Sequence, residues 1–188
     1  SDLIEGISSD NLKQQLKRLT DIKELQRYEK GIYYLPRESR LKSGFQLSAD
    51  VVARHKYISR RGKVMGYYSG YTFANQLGIS KQVPNKIEIV SNESSPIVRD
   101  INVGNHVFMI RKSRTQVNEN NQKVLQLLEL LKDIDLYSDG TIEETRDRIV
   151  KYIIDSKITR KDVDQYINEF PLKIYKSFYE MRLENVFA

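Results

Sequence analysis

The chain has 188 residues, of which 39% are hydrophobic and 30% charged, proportions ordinary for a folded protein of one large or two small domains. It has no cysteine, which excludes disulfide frameworks and cysteine zinc sites and fits a cytoplasmic location. The formal net charge of +6 is uneven: residues 43–115 carry eleven basic against four acidic side chains, residues 116–188 carry eleven against fourteen. A basic front and an acidic tail point to a polyanionic partner for the front, with nucleic acid the first candidate, although a basic pI alone also occurs without any such partner. No apolar run approaches the roughly 20 residues of a membrane span, and no signal peptide is expected.

In chain order, Ser9 is expected to cap a short helix with Leu12, Leu16 and Leu19 on one face. The opposite face carries Gln14, Lys17 and Arg18, flanked by Asn11 and Lys13. Two apolar runs follow, Leu25 to Tyr28 and Ile32 to Leu35, joined through Glu29-Lys30-Gly31. Gly31 suits a turn position of positive φ, and Pro36 ends the second strand. A helix feeding a hairpin is the second half of a winged helix, the DNA-reading variant of the helix-turn-helix. Only Ser1 to Ile7 precede that helix, so the winged helix is expected to be partial, its first helix apparently missing.

Arg37 to Gly44 reads as a linker, and Ser48 to Lys56 as a short helix. Arg60-Arg61-Gly62-Lys63 forms a basic turn before a strand at Val64 to Tyr68. Ser69 is placed to cap a helix from Gly70 to Leu77 that stops at Gly78. Lys86 to Val90 alternates as a half-buried strand should, and Val98 to Val103 pairs with His106 to Lys112 about a Gly104-Asn105 turn of type II′. The last third is helical. Asn118 opens a mostly buried helix to about Lys132, Thr141-Ile-Glu-Glu144 has the form of a capping box, Thr159 caps a further helix, and a final one carries Ile174 to Leu183. The expected fold is α+β: a winged-helix unit over 1–42, a basic mixed α/β unit over 43–115, and a helical segment over 116–188 packed on it.

The chemistry favours binding over catalysis. Asn and Gln can pair with adenine, and Arg or Lys with guanine, so the face bearing Lys13, Gln14, Lys17 and Arg18 suits a major groove, or else is an ordinary solvated helix surface. The hairpin that follows favours the first reading and makes Arg27 and Lys30 phosphate contacts of the wing. Arg60 and Arg61 form a second phosphate patch or a solvated basic turn. Tyr67, Tyr68, Tyr71 and Phe73 fall on regular elements, which favours core burial over stacking on single-stranded bases. His55 and His106 lack partners at metal-ligand spacing, Asp133 to Arg146 fails as a calcium loop, and Asp162 and Asp164 diverge on a helix. No enzyme, metal or cofactor is expected, a degenerate nuclease or nucleotidyl-transferring site around Asp133 and Asp135 being the remaining alternative.

Three stretches carry a family resemblance: GYYSGYTFANQLGISKQVPNKIEIVSN from Gly66 to Asn92, GIYYLP from Gly31 to Pro36, and IRKSRTQVNENNQKVLQLLELL from Ile110 to Leu131. Together they resemble AbiEi-type antitoxins of bacterial type IV toxin–antitoxin and abortive phage infection systems, over roughly Asp10 to Leu131. The resemblance implies a winged helix that represses its own operon by binding inverted or direct repeats upstream of it. It also implies a second region that supports neutralisation of a nucleotidyltransferase-like toxin encoded alongside. Carried over by position, the recognition-helix residues are Gln14, Lys17 and Arg18, with Lys13 beside them, and the wing residues are Arg27 and Lys30. The alternative is a protein-interaction module that has lost DNA binding and only supports neutralisation.

Overall fold

The structure is a computed structural model that describes residues 8–36 and 47–187 and divides the chain into two compact units, 1–48 and 49–188. It is an α+β protein. In the first unit, helix α1 (Ser9–Asp21) is followed by a hairpin of β1 (Gln26–Glu29) and β2 (Ile32–Tyr34). The helix is capped by Ser8 rather than Ser9: the Ser8 hydroxyl accepts the Asn11 amide at 3.3 Å. Two adjacent serines offer the same hydroxyl, and the one whose backbone stays extended while the next turns helical becomes the cap. The apolar stripe behaves as the spacing demands, with Leu12, Leu16 and Leu19 half-buried and the residues between them exposed. Gly31 has φ +83°, the left-handed value that the tight connection requires. The linker expected at 37–44 and the unit boundary expected at 42 fall outside the described residues.

The second unit holds a four-stranded sheet in the order β5 (Gly66–Tyr68), β6 (Lys86–Ser91), β8 (His106–Lys112), β7 (Arg99–Val103). β5–β6 and β7–β8 are antiparallel, whereas β6 and β8 run parallel, with Val90 opposite Arg111 and Ile89 opposite Ile110. Before the sheet come α2 (Ala49–Tyr57) and a two-stranded ribbon of β3 (Ser59–Arg60) and β4 (Lys63–Val64). The strand expected over Val64 to Tyr68 is broken at Met65. The Ile58 carbonyl accepts both the Met65 and the Gly66 amides, at 2.8 and 3.2 Å, which bends the chain from the ribbon into the sheet. Gly66 permits this bend, since a Cβ there would run into the Tyr57 and Val90 carbonyl oxygens.

Helix α3 (Gly70–Gln76) follows β5, and after the sheet come α4 (Gln122–Leu131), a single turn α5 (Ile134–Tyr137), α6 (Ile142–Asp155), α7 (Arg160–Tyr166) and α8 (Lys173–Glu180). The Thr141 capping box is present as the sequence indicates, with both reciprocal hydrogen bonds made. Asn118 does not cap α4. Its side chain folds a turn by accepting the Asn120 and Asn121 amides, and the helix starts after Asn121. Every residue of α4 from Val124 to Leu131 is buried. Tyr67 and Val90 of the sheet join α4, α6, α7 and α8 in one apolar cluster. Ile89, Phe108 and Ile110 point to the opposite face of the sheet, the direction set by strand alternation, and α2 packs against β6 and β7.

Candidate nucleic-acid interface

The four candidate side chains of α1 share one exposed face, because Lys13 and Lys17, and likewise Gln14 and Arg18, stand one helical turn apart. Lys13 is engaged by Asp10 at 3.0 Å, but both partners are largely in water, so the pair competes weakly with a phosphate. Among the described residues, no ion pair or side-chain hydrogen bond occupies Gln14, Lys17, Arg18 or Lys30. On the hairpin, Arg27 Nε donates to the Glu29 carbonyl at 3.3 Å, holding its guanidinium along the strand end. Lys30 sits exposed in the turn. The first unit thus combines a helix surface of two amide or cationic pairs with a basic hairpin, and its apolar stripe leaves those groups in solvent.

Arg60 and Arg61 belong to the second unit, so the eight candidates do not form one patch within one unit. They occupy the β3–β4 turn, where Arg61 at φ +52° and Gly62 at φ +78° are the two central residues of a type I′ turn. Arg61 is exposed and Arg60 half-buried. The tyrosines go the way regular elements suggested: Tyr67 is buried, Tyr68 and Tyr71 are half-buried, and Phe73 is buried. Among the described residues there is no group of three or more His, Cys, Asp or Glu arranged to hold a metal ion. Asp162 accepts the Thr159 amide at 2.8 Å as part of a capping box, and Asp164 accepts from Arg160 Nε at 2.8 Å. Both carboxylates therefore have local structural work.

Sequence reasoning missed a buried charge network under the sheet. Glu129, 3% exposed, lies within the buried run Leu127 to Leu131 of α4. Its Oε1 accepts from Arg111 Nη1 of β8 at 2.9 Å and from Lys132 Nζ at 2.6 Å. Arg111 Nη2 also donates to the Ser69 hydroxyl at 3.1 Å, and Ser69 makes no side-chain cap for α3. Lys132 reaches on to Asp133 at 3.2 Å, and Asp133 pairs with Lys173 of α8. Burial pushes the Glu129 carboxyl up, but the Arg111 and Lys132 charges outweigh it and hold the group below the usual carboxylate range. Glu88 behaves oppositely. Burial raises its carboxyl, the Tyr71 amide and Arg111 only partly offsetting the shift. The visible signal in the sequence is a lone carboxylate inside Leu-Leu-Glu-Leu-Leu, a polar residue that an apolar helix tolerates only with partners.

Fold and surface together define an α+β protein in which a cation-bearing helix and hairpin form a unit apart from the main core. The chain belongs to the family described as "Family of unknown function (DUF6088)", which matches residues 1–162. Comparison with the curated proteins and with the solved structures finds no match. Among the described residues no helix is long and apolar enough to cross a membrane.

Proposed function

We propose that the chain is a cytoplasmic, DNA-binding transcriptional autorepressor that also serves as the antitoxin of a type IV toxin–antitoxin system, with no catalytic activity of its own. The observation that carries this reading is the first unit itself. A capped helix presents Gln14, Lys17 and Arg18 on its exposed face, and a hairpin with Arg27 and Lys30 follows it directly. That order supplies base-reading groups on the helix and phosphate contacts on the wing. The resemblance of Gly31–Pro36, Gly66–Asn92 and Ile110–Leu131 to AbiEi-type antitoxins supports the second half of the proposal, with a nucleotidyltransferase-like partner toxin. A gel-shift titration against the chain's own upstream DNA, beside a scrambled duplex and at two salt concentrations, tests it. Selective binding that weakens steeply with salt supports the repressor, and equal weak binding to both duplexes rejects it.

Exposed Ile22 and Leu35 in the same unit favour a second reading, a protein-interaction module without DNA binding. Co-purification with the product of a neighbouring gene, without retention on heparin, distinguishes it.

A further inference from the structure

The second unit contains a cleft of about 360 Å3 between α2, β5, α3, α4 and α6. Its lining includes Arg54, Lys123, Gln76, Gln122, Tyr68 and Tyr152, and no carboxylate. Two other clefts of this unit differ in holding carboxylates beside their cations: one of about 370 Å3 has Asp139, Glu144 and Asp147 with Lys81 and Arg148, and one of about 290 Å3 has Asp164 with Arg160. Rings, amides and cations without an acid are the set that an anionic aromatic ligand needs.

The parts are held in place. Gln126 Nε2 donates to the Tyr68 carbonyl at 2.8 Å, and Tyr152 donates its hydroxyl to Gln126 Oε1 at 2.9 Å. The Tyr68 hydroxyl donates to Asp50 of α2, outside the lining, and Phe73 meets Tyr152 edge-on with ring centroids 5.1 Å apart. Lys123 Nζ stands 5.9 Å from the Tyr152 ring centroid. Gln122 spends its Nε2 on the Gly66 carbonyl at 2.8 Å, leaving its carbonyl oxygen as an acceptor, while the exposed Gln76 amide offers both a donor and an acceptor. Arg54 and Lys123 are exposed at the rim. Burial pushes the Tyr68 and Tyr152 phenols up, so both stay neutral and neither repels an anion.

We infer that this cleft is a nucleotide-binding site, which takes one base against Tyr68 and Tyr152 and its phosphate on Arg54 and Lys123. Gln76 and Gln122 contact the base edge. A free nucleotide and the terminal nucleotide of a single strand present the same chemistry. The site lies in the second unit, and its occupancy does not depend on duplex binding by α1.

The test uses the full chain carrying Lys17→Ala and Arg18→Ala, which silences the helix surface of the first unit. Equilibrium dialysis with the four nucleoside 5′-monophosphates and anisotropy with a labelled single-stranded oligothymidine give the two affinities. Binding to either probe is expected, and Arg54→Ala with Lys123→Ala should weaken it by about tenfold or more while the melting curve stays unchanged. Binding of the monophosphates alone identifies a free nucleotide, and binding of the strand alone identifies a strand end. Gln76→Ala should change the preference among bases. The inference is overturned if neither probe binds at about 1 mM, a concentration at which even a weak site fills. An affinity indifferent to the Arg54 and Lys123 changes also overturns it, as does inorganic phosphate competing as well as the nucleotides.

Discussion

The two units of this chain use their residues in opposite ways. None of residues 8–36 is buried, whereas the buried core residues run from Ala49 to Leu183. In the first unit the leucines of α1 are half-buried and its polar groups face water. In the second, even charged groups such as Glu129 are drawn inside and matched with partners. A unit with little buried surface owes little of its stability to packing and leaves its side chains available for contact. A unit whose core encloses an ion-pair network is a scaffold, where a lost partner is costly.

Glu129→Gln leaves Arg111 and Lys132 facing each other without their shared carboxylate and should destabilise the second unit by roughly 3–5 kcal/mol in denaturant titrations at pH 7. The folded-state carboxyl of Glu129 is held low, so its contribution is complete above the ordinary carboxylate value of about 4.3 and fades as pH falls through the folded value. The gap between wild type and Glu129→Gln should therefore close in acid, and a gap that widens there contradicts the network. Leu128→Ala, at a fully buried position, should cost roughly 2–5 kcal/mol, while Leu16→Ala on α1 should cost less than half as much. Equal costs would erase the distinction between the units. Thr141→Ala, which removes the capping box of α6, should cost about 1 kcal/mol. The smallest effect is at Glu88: its half-buried carboxyl is raised by desolvation, so ionising it opposes folding as pH rises through the folded value. Glu88→Gln should then raise the melting temperature slightly at pH 7 and lose that advantage as the pH falls below the ordinary carboxylate range, where the carboxyl is no longer ionised in either state. Amide hydrogen exchange extends the comparison without mutation: α1 should exchange much faster than α4.

Much of the local architecture is legible in the residues, because it depends on single side chains acting over three or four positions. The Thr141–Glu144 capping box and the turns at Gly31, Gly62 and Gly104 are of this kind, as is the leucine stripe of α1. Where two side chains compete for one task the sequence misleads. Ser8 displaces Ser9, and Asn118 spends its oxygen on a turn while α4 waits for Asn121. The parallel pairing of β6 with β8 is set by packing over a long separation, with no local mark in either strand. The same holds for the Glu129 network, whose members Arg111 and Lys132 look like surface cations until β8 and α4 pack together. On the candidate interface, the exposed face of α1 was readable from periodicity alone. The cleft bounded by Arg54, Lys123 and Tyr152 draws on three separate helices and leaves no spacing to find.

The proposed role of the poorly buried first unit as DNA reader is best tested by a salt-dependent titration of the chain's own upstream duplex. Wild type and the Lys17→Ala, Arg18→Ala variant are compared, each beside a scrambled duplex. The variant should lose roughly 1–3 kcal/mol for each base contact removed, lose its preference for the native sequence, and show a shallower salt dependence. Its thermal unfolding should match wild type, because both side chains are exposed. A variant that binds its own upstream DNA with unchanged affinity, selectivity and salt slope would show that α1 does not read DNA.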